Sequence, residues 1–456
     1  MPTKHVKPGL IIKDSSVVSE DVTTRLHDRQ HIQTLRAAAP TILNRLALGL
    51  ALVGPGLLVM LGDNDAGSVI TYMQTGASYG VSLFLPLLIP LGFIAYLVQE
   101  MTIRLGVVTR RGHAELIWKR YGAFWGAFSL VDLVVANSLT LMTEFIGIRV
   151  VSVVFGVSYR LTISLSLLFV AVMLLCLKYR SWERFSLLLA LLNLIFIPLA
   201  ILAHPDWSAM ARIFAGQGWH VLGGWFSPAF LLLLAATIGT TISPWQLFFQ
   251  QSCIVDKGLL PQDVTASRYD LKLGVVGMVL VAIAIISLGT KLYGLPKIAA
   301  FDGGTMLSAI GHRVGPVAMA MFALGLVESG LVALVVITAS TAWSIGGAFG
   351  LPCSLNLPPR QALGFYGPAL VCAALAAGVL MLPHIPMGFL NLTVQIVASL
   401  FMPAAMLFLL MLLNDRTLMG EYVNSTSRNI LSIIVLLLLI VCNGLYGLVT
   451  LFPNLG

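Results

Sequence analysis

Asp63 and Asp65 lie inside an otherwise apolar stretch, GPGLLVMLGDNDAGSVITYMQTGASYG from Gly54 to Gly80, and are the residues best placed for chemistry in this chain. A charged side chain at a bilayer centre costs roughly 2.5 to 3.5 kcal/mol even on lenient insertion scales, so such groups line a substrate path or pair internally. Gly62 and Gly67 allow the backbone to leave helical geometry there. The freed carbonyls must then find protein, water or an ion. On an intact helix the two carboxylates would point about 200° apart, so one cation uses both only if the segment unwinds. The stretch reads as a broken helix carrying a cation site. The bland alternative is a structural acidic pair satisfied by its neighbours.

The elements that position this stretch are membrane spans. The chain has 456 residues, 58% hydrophobic and only 10% charged, with a mean hydropathy of +0.93. That composition marks a polytopic membrane protein. Windows long enough for a ~30 Å core fall near 46–75, 82–104, 124–149, 160–178, 185–203, 227–255, 271–291, 315–347, 362–382, 388–413 and 429–452. They predict an all-α protein of about eleven spans. The sixth reads LLLLAATIGTTISPWQLFFQQS, with a polar, helix-breaking centre at Gly239, Thr240, Thr241, Ser243 and Pro244. Two interrupted spans five apart predict a five-plus-five inverted repeat, 46–203 and 227–413, with an extra helix at 429–452. In that architecture the substrate binds near the midplane, where the broken helices face each other. Pro244 taken alone reads equally well as an ordinary kink.

Charge sets the orientation. Of the 27 Lys and Arg, all but Arg149, Arg160, Arg212, Lys291, Lys297 and Arg313 lie in the N-terminal tail or at the connections after spans two, four, six, eight and ten. This bias predicts a cytoplasmic N-terminus and an outside C-terminus in a plasma (inner) membrane. Residues 1–45 read as a cytoplasmic tail with a short surface helix near Thr23 to Ala39. The net charge of +8 has this topological cause, and no basic cluster interleaved with aromatics points to nucleic acid. The five cysteines are scattered without metal-ligand spacing, and no nucleophile with a nearby base points to an enzyme. The partners implied are the bilayer and a small substrate, with no cofactor and no obligate protein partner.

From Gly54 to Pro403 the chain resembles the Nramp family of divalent-metal transporters. The resemblance rests on the opening GPG, the Asp-x-Gly centre, QTGASYG, then LVQEMTIRLGVVT with HAEL, in order and spacing. It implies a LeuT-like inverted repeat that moves divalent transition metals inward by alternating access, commonly with protons. The site departs from the family pattern. Where the family has Asp-Pro-Gly-Asn, this chain has Asp65, Ala66, Gly67 and Ser68, so the ion-binding carboxylate stays and an amide ligand becomes a hydroxyl. Asp63 adds a second carboxylate. The family's Met-Pro-His becomes Ser243, Pro244 and Trp245, its second histidine aligns with Gln250, and its Asp-Leu-Ala-Glu aligns with Leu141, Met142, Thr143 and Glu144. Asn391, Gln395 and Pro403 match the family. With these departures the chain resembles a related magnesium-transporting branch.

A thioether favours soft transition metals, whereas hydroxyl, carboxylate and water suit Mg2+, Ca2+ and Mn2+. The expectation is a site for a hard divalent cation, Mg2+ first and Mn2+ second, without proton coupling. Asp65 is its direct ligand, and Asp63 binds directly or through water. Ser68 and Ser243 contribute hydroxyls, unwound carbonyls near Ala66 and Thr240 complete the shell, and Gln395 adds its amide oxygen on occlusion. Glu144 and Trp245 are assigned to the gate or proton route. Gln395 can equally bond another helix, and Glu328 in span eight can serve transport or pair internally. Two other readings stand: proton-coupled Mn2+ or Fe2+ uptake, and a sensor or scaffold that binds metal without moving it.

Overall fold

The computed structural model describes residues 53–218, 227–294 and 303–451, and all of its regular elements are helical. The tail at 1–45, with its expected surface helix, lies outside the described residues. The first span is two short helices, α1 (Pro55–Leu61) and α2 (Ala66–Tyr79). There follow α3 (Phe84–Thr109), α4 (His113–Val154), α5 (Tyr159–Cys176) and α6 (Tyr179–Leu202). After a short amphipathic α7 (Trp207–Phe214), the second broken span is α8 (Pro228–Thr241) and α9 (Pro244–Lys257). The chain continues through α10 (Val264–Gly289), α11 (Gly303–Arg313), α12 (Pro316–Ala348), α13 (Leu363–Leu380), α14 (Met387–Leu413) and α15 (Thr426–Leu451).

Among the described residues, ten helices are long and apolar enough to cross a membrane, counting α8 and α9 as one. The α1–α2 pair makes the eleventh segment, each half being too short alone. Helices α7 and α11 are extramembrane pieces that the apolar windows did not reveal. The third span also starts earlier than its apolar window, because α4 opens with a short helical segment that turns at Gly122 (φ 84°) into the span proper. A side chain there would be strained.

The halves interleave as a pseudo-two-fold requires. Helix α3 packs on α10, α4 runs along α12, and α5 meets α13, so these three helices of the first half touch their counterparts in the second. At the centre are the broken spans: 89% of the α8–α9 window is buried, against 22% for α15, which lies at the periphery. Helix α1 has only Gly54 at its N-cap, and its first amides are instead satisfied from another helix. Asp270 of α10 accepts hydrogen bonds from Gly56 N (2.7 Å) and Leu57 N (3.2 Å). Such a tertiary cap fixes where the first break falls relative to the second half.

Candidate metal-binding site

Helix α1 stops because Gly62, Asp63, Asn64 and Asp65 are all poor helix formers. Its last bond runs from Gly62 N to Leu58 O. Asp65, with extended backbone, is the N-cap of α2, and its Oδ1 accepts from Ser68 N at 2.7 Å. Ser68 returns the favour to the break itself, since its hydroxyl donates to Asp63 O at 2.8 Å. The remaining backbone groups are met from a distance. Asn193, within α6, donates to Leu61 O (3.4 Å) and Asn64 O (3.3 Å), and the Asn64 amide donates to Met278 O of α10 (3.2 Å). Glu144 of α4 accepts from Ala66 N at 2.9 Å, and Thr143 donates to the other Glu144 oxygen at 3.0 Å. Asp63 is fully buried, and its Oδ1 accepts from the Gln246 amide of α9.

The second break is held more locally. Ile242 and Ser243 separate the two helices, and Pro244 begins α9, where its missing N–H costs nothing. The Ser243 hydroxyl donates to Gly239 O at 2.7 Å, one turn back. Thr241 likewise bonds Thr237 O at 2.7 Å. Two contacts stitch the breaks together: Thr240 Oγ1 lies 2.5 Å from Ser68 Oγ, and Tyr72 OH lies 2.8 Å from Thr241 Oγ1. Gln395 of α14 fills the remaining side. A Cβ on Gly67 would overlap its side-chain nitrogen, and a Cβ on Gly239 would overlap its backbone carbonyl. One turn earlier, Asn391 donates to Gly67 O at 3.2 Å.

Asp63, Asp65, Ser68 and Thr240 are thus joined through Ser68, with Gln395 against Gly67 and Gly239, at a buried meeting of α2, α8 and α14; Ser243 lies at the second break, bonded to Gly239 O. The Asp65 carboxylate is within electrostatic reach of Asp63 and of Glu144. All four are buried: Asp63 and Ser68 have no exposure, and Asp65 and Ser243 keep only 3% and 4%. Buried polar atoms without a hydrogen-bond partner among the described residues also gather here, including Asp63 Oδ2, Asn64 Oδ1 and the Gln395 amide nitrogen. No group of three or more His, Cys, Asp or Glu among the described residues is arranged to hold a metal. An ion seated here relies on mixed oxygen donors: carboxylate, hydroxyl, carbonyl and water. The hydroxyls that donate to carbonyls keep their own lone pairs for that purpose.

The geometry corrects two expectations. Ala66 is not unwound; it is the first residue of α2, and its amide is capped. Thr240 is likewise helical, one residue before the end of α8. The non-helical residues are Gly62 to Asp65 and Ile242 to Ser243, because Asp65 is so effective a cap that the helix resumes at once. Glu144 holds the α2 terminus by accepting the Ala66 N–H. Trp245 is 1% exposed, its ring against Phe249, and its carbonyl accepts from Ser340 at 3.1 Å. Both oxygens of Glu328 are buried without a hydrogen-bond partner among the described residues, so no internal pairing is seen there.

Four contributors escaped the sequence reading: Gln246, Asn193, Tyr72 and the capping action of Glu144. Gln246 carried a usable signal, being a polar residue just past a helix break inside an apolar span. From it a buried chain continues away from the site, Gln246 to Gln99 (3.2 Å) and Thr102 to Gln250 (3.1 Å). On the opposite side, a cleft of about 200 Å³ opens between α2, α8 and α14, lined by Gln74, Ser78, Leu233 and Leu392 among others.

Comparison with known proteins agrees with this geometry. A solved structure of an Eremococcus coleocola manganese transporter variant superposes with a TM-score of 0.71 at 22% identity, over 89% of this chain and 87% of that one. The fold is the LeuT-like one. Among curated proteins, the divalent metal cation transporter MntH 1 of Pseudomonas aeruginosa is 28% identical over 403 residues, covering 84% of this chain and 87% of the relative. The divalent metal cation transporter MntH of Levilactobacillus brevis is 25% identical over 414 residues, covering 86% and 88%. The sequence profile described as natural resistance-associated macrophage protein-like, Nramp, matches residues 56–449. A match over nearly the whole chain, on a fold whose two broken helices meet at a buried aspartate, makes this protein a member of the Nramp family.

Proposed function

We propose that this protein carries divalent metal cations across the membrane by alternating access between its two halves, with Asp65 as the direct ligand. The observation that carries the reading is Asp65 itself, a carboxylate at the junction of two broken helices that retains a trace of exposure in an otherwise closed interior. Asp63 supplies a second negative charge, Ser68 and Ser243 supply hydroxyls, Thr240 and Gln395 complete the surround, and Glu144 and Trp245 border it. The names borne by the relatives support divalent cation transport, and the manganese transporter among the solved structures favours Mn2+ as a carried ion. With the tail on the cytoplasmic side, the membrane potential contributes about 2.3 kcal/mol per charge per 100 mV to cation entry.

A specific observation favours a second reading for the ion. The candidate ligands Asp63, Asp65, Ser68 and Ser243 offer only oxygen, and among the described residues no Met, Cys or His side chain hydrogen-bonds them; oxygen donors suit Mg2+ as well as Mn2+. The same donors leave few proton-carrying groups beyond Glu144 and the aspartates, which favours uncoupled entry. Uptake into proteoliposomes of the purified protein, comparing Mn2+, Mg2+ and Ca2+ while a pH dye reports the lumen, separates the readings. Mn2+ entry with acidification and exclusion of Mg2+ supports proton-coupled manganese uptake. Mg2+ entry without acidification supports the hard-ion reading, and metal binding without accumulation of any ion overturns transport.

A further inference from the structure

A cleft of about 340 Å³ separates α3, α10 and α15. Four cations line it, Arg104, Arg268, Lys272 and Arg428, with Glu100 as the single carboxylate. Glu100 is consumed by two of them, bonding Arg104 Nε at 3.0 Å and Arg268 Nη2 at 2.5 Å. Arg104 is further tied down by Tyr422 O (3.2 Å) and the Asn424 side chain (2.7 Å), so it is structural. Lys272 and Arg428 are exposed, and among the described residues neither has a carboxylate within ion-pair distance. The cleft keeps a net surplus of positive charge.

The walls below this charge are apolar. Leu97, Met101 and Leu431 line the cleft itself. Beyond them Leu273 and Val276 of α10 are 61% and 57% exposed, and Ile430 and Ile434 of α15 are 56% and 54% exposed. A cationic notch that continues into two lipid-facing ridges matches an amphiphile, its anionic head among the cations and its chains along the ridges. A solvated basic surface lacks that apolar continuation.

We propose that this cleft binds the phosphodiester headgroup of an anionic phospholipid, drawn from the leaflet that faces the N-terminal tail. Lys272 and Arg428 make the headgroup contacts. The lipid bridges α15, which stands outside both repeats and is little buried, to α3 and α10. The cleft shares no lining residue with the candidate metal site, so the proposal holds whichever cation is carried.

The test is native mass spectrometry of detergent-purified protein titrated with phosphatidylglycerol, phosphatidylcholine of the same chains, or inorganic phosphate. Wild type is compared with Lys272→Gln, Arg428→Gln and the double variant, and with Arg360→Gln as an exposed control elsewhere. At about 1 kcal/mol per basic residue, phosphatidylglycerol affinity should fall about fivefold in each single variant and about thirtyfold in the double. Arg360→Gln should be unchanged, and phosphatidylcholine should bind weakly and equally throughout. Equal phosphatidylglycerol binding in all variants, or equal binding of the two lipids by wild type, overturns the proposal. Competition by inorganic phosphate at the lipid's own concentration overturns the lipid as occupant. The single variants keep the test decisive if the double variant fails to fold.

Discussion

The break between α1 and α2 and the break between α8 and α9 lie against each other, yet they are held by different means. Around the first, α6, α4 and α9 each send a side chain and α10 a backbone carbonyl: Asn193 donates to its carbonyls, Glu144 accepts from Ala66 N, Gln246 donates to Asp63, and Met278 O accepts from the Asn64 side chain. The second is secured mainly by its own preceding turn, through Ser243 to Gly239 and Thr241 to Thr237. A segment tethered to four helices moves only when they move. One tied mainly to its own helix, and to α2 through Thr240 and Thr241, has fewer helices to carry with it. The first break therefore acts as the fixed half of the site and the second as its adjustable half.

This contrast can be broken most severely at Asp65. Asp65→Ala removes both the α2 cap and the proposed ligand, and vesicle uptake should drop to that of empty liposomes; uptake at the wild-type rate would remove the site assignment. Glu144→Ala should rank next. It leaves a buried amide unpaired, a cost of about 1 to 3 kcal/mol, so the unfolding temperature in detergent should fall and uptake with it. Glu144→Gln keeps an acceptor and should recover most of the temperature loss if capping is what Glu144 supplies.

Smaller effects sharpen the comparison directly. Asn193→Ala strips two carbonyls at the fixed break and should destabilise by about 1 kcal/mol. Ser243→Ala removes one bond within a helix turn and should cost less, with comparable thermal melts as the readout. Equal losses would erase the distinction between the two breaks. Ser243→Met should change selectivity more than stability, admitting Cd2+ to a site that gains a soft donor. Competition by Cd2+ against Mn2+ uptake measures this, and unaltered competition would show that position 243 does not face the ion.

Much of the architecture could be read from local chemistry. Asp63, Asp65 and the flanking glycines in an apolar run, and Ser243–Pro244 in another, are conflicts between residue type and surroundings that a helix in lipid does not tolerate without purpose. The Glu100–Arg104 pair follows from spacing alone, the two being one helical turn apart. What stayed hidden depends on which helices become neighbours. Nothing near Glu144 says that its carboxylate will meet Ala66, 78 residues away in the chain. Nor does the sequence around Asn193 mark it as the donor to Asn64 O. The expected unwound carbonyls fall just past the first break, at Ala66, and just short of the second, at Thr240. The strength of Asp65 as a cap, and the bond from Ile242 N back to Ile238 O, keep those residues helical.

The meeting of Gly67, Gln395 and Gly239 bears on how fast such a machine can turn. At that junction α2, α8 and α14 approach so closely that neither glycine leaves room for a methyl group: a Cβ at position 67 would meet the Gln395 amide nitrogen and Thr143, and one at 239 the Gln395 carbonyl and Ser399. Only small side chains and a tyrosine hydroxyl bridge α2 to α8, Ser68 to Thr240 and Tyr72 to Thr241, and tight packing transmits any added bulk to its neighbours. The junction is a close-fitting bearing. A single methyl group at position 67 or 239 would act as grit, slowing each stroke even where the ion still finds its ligands.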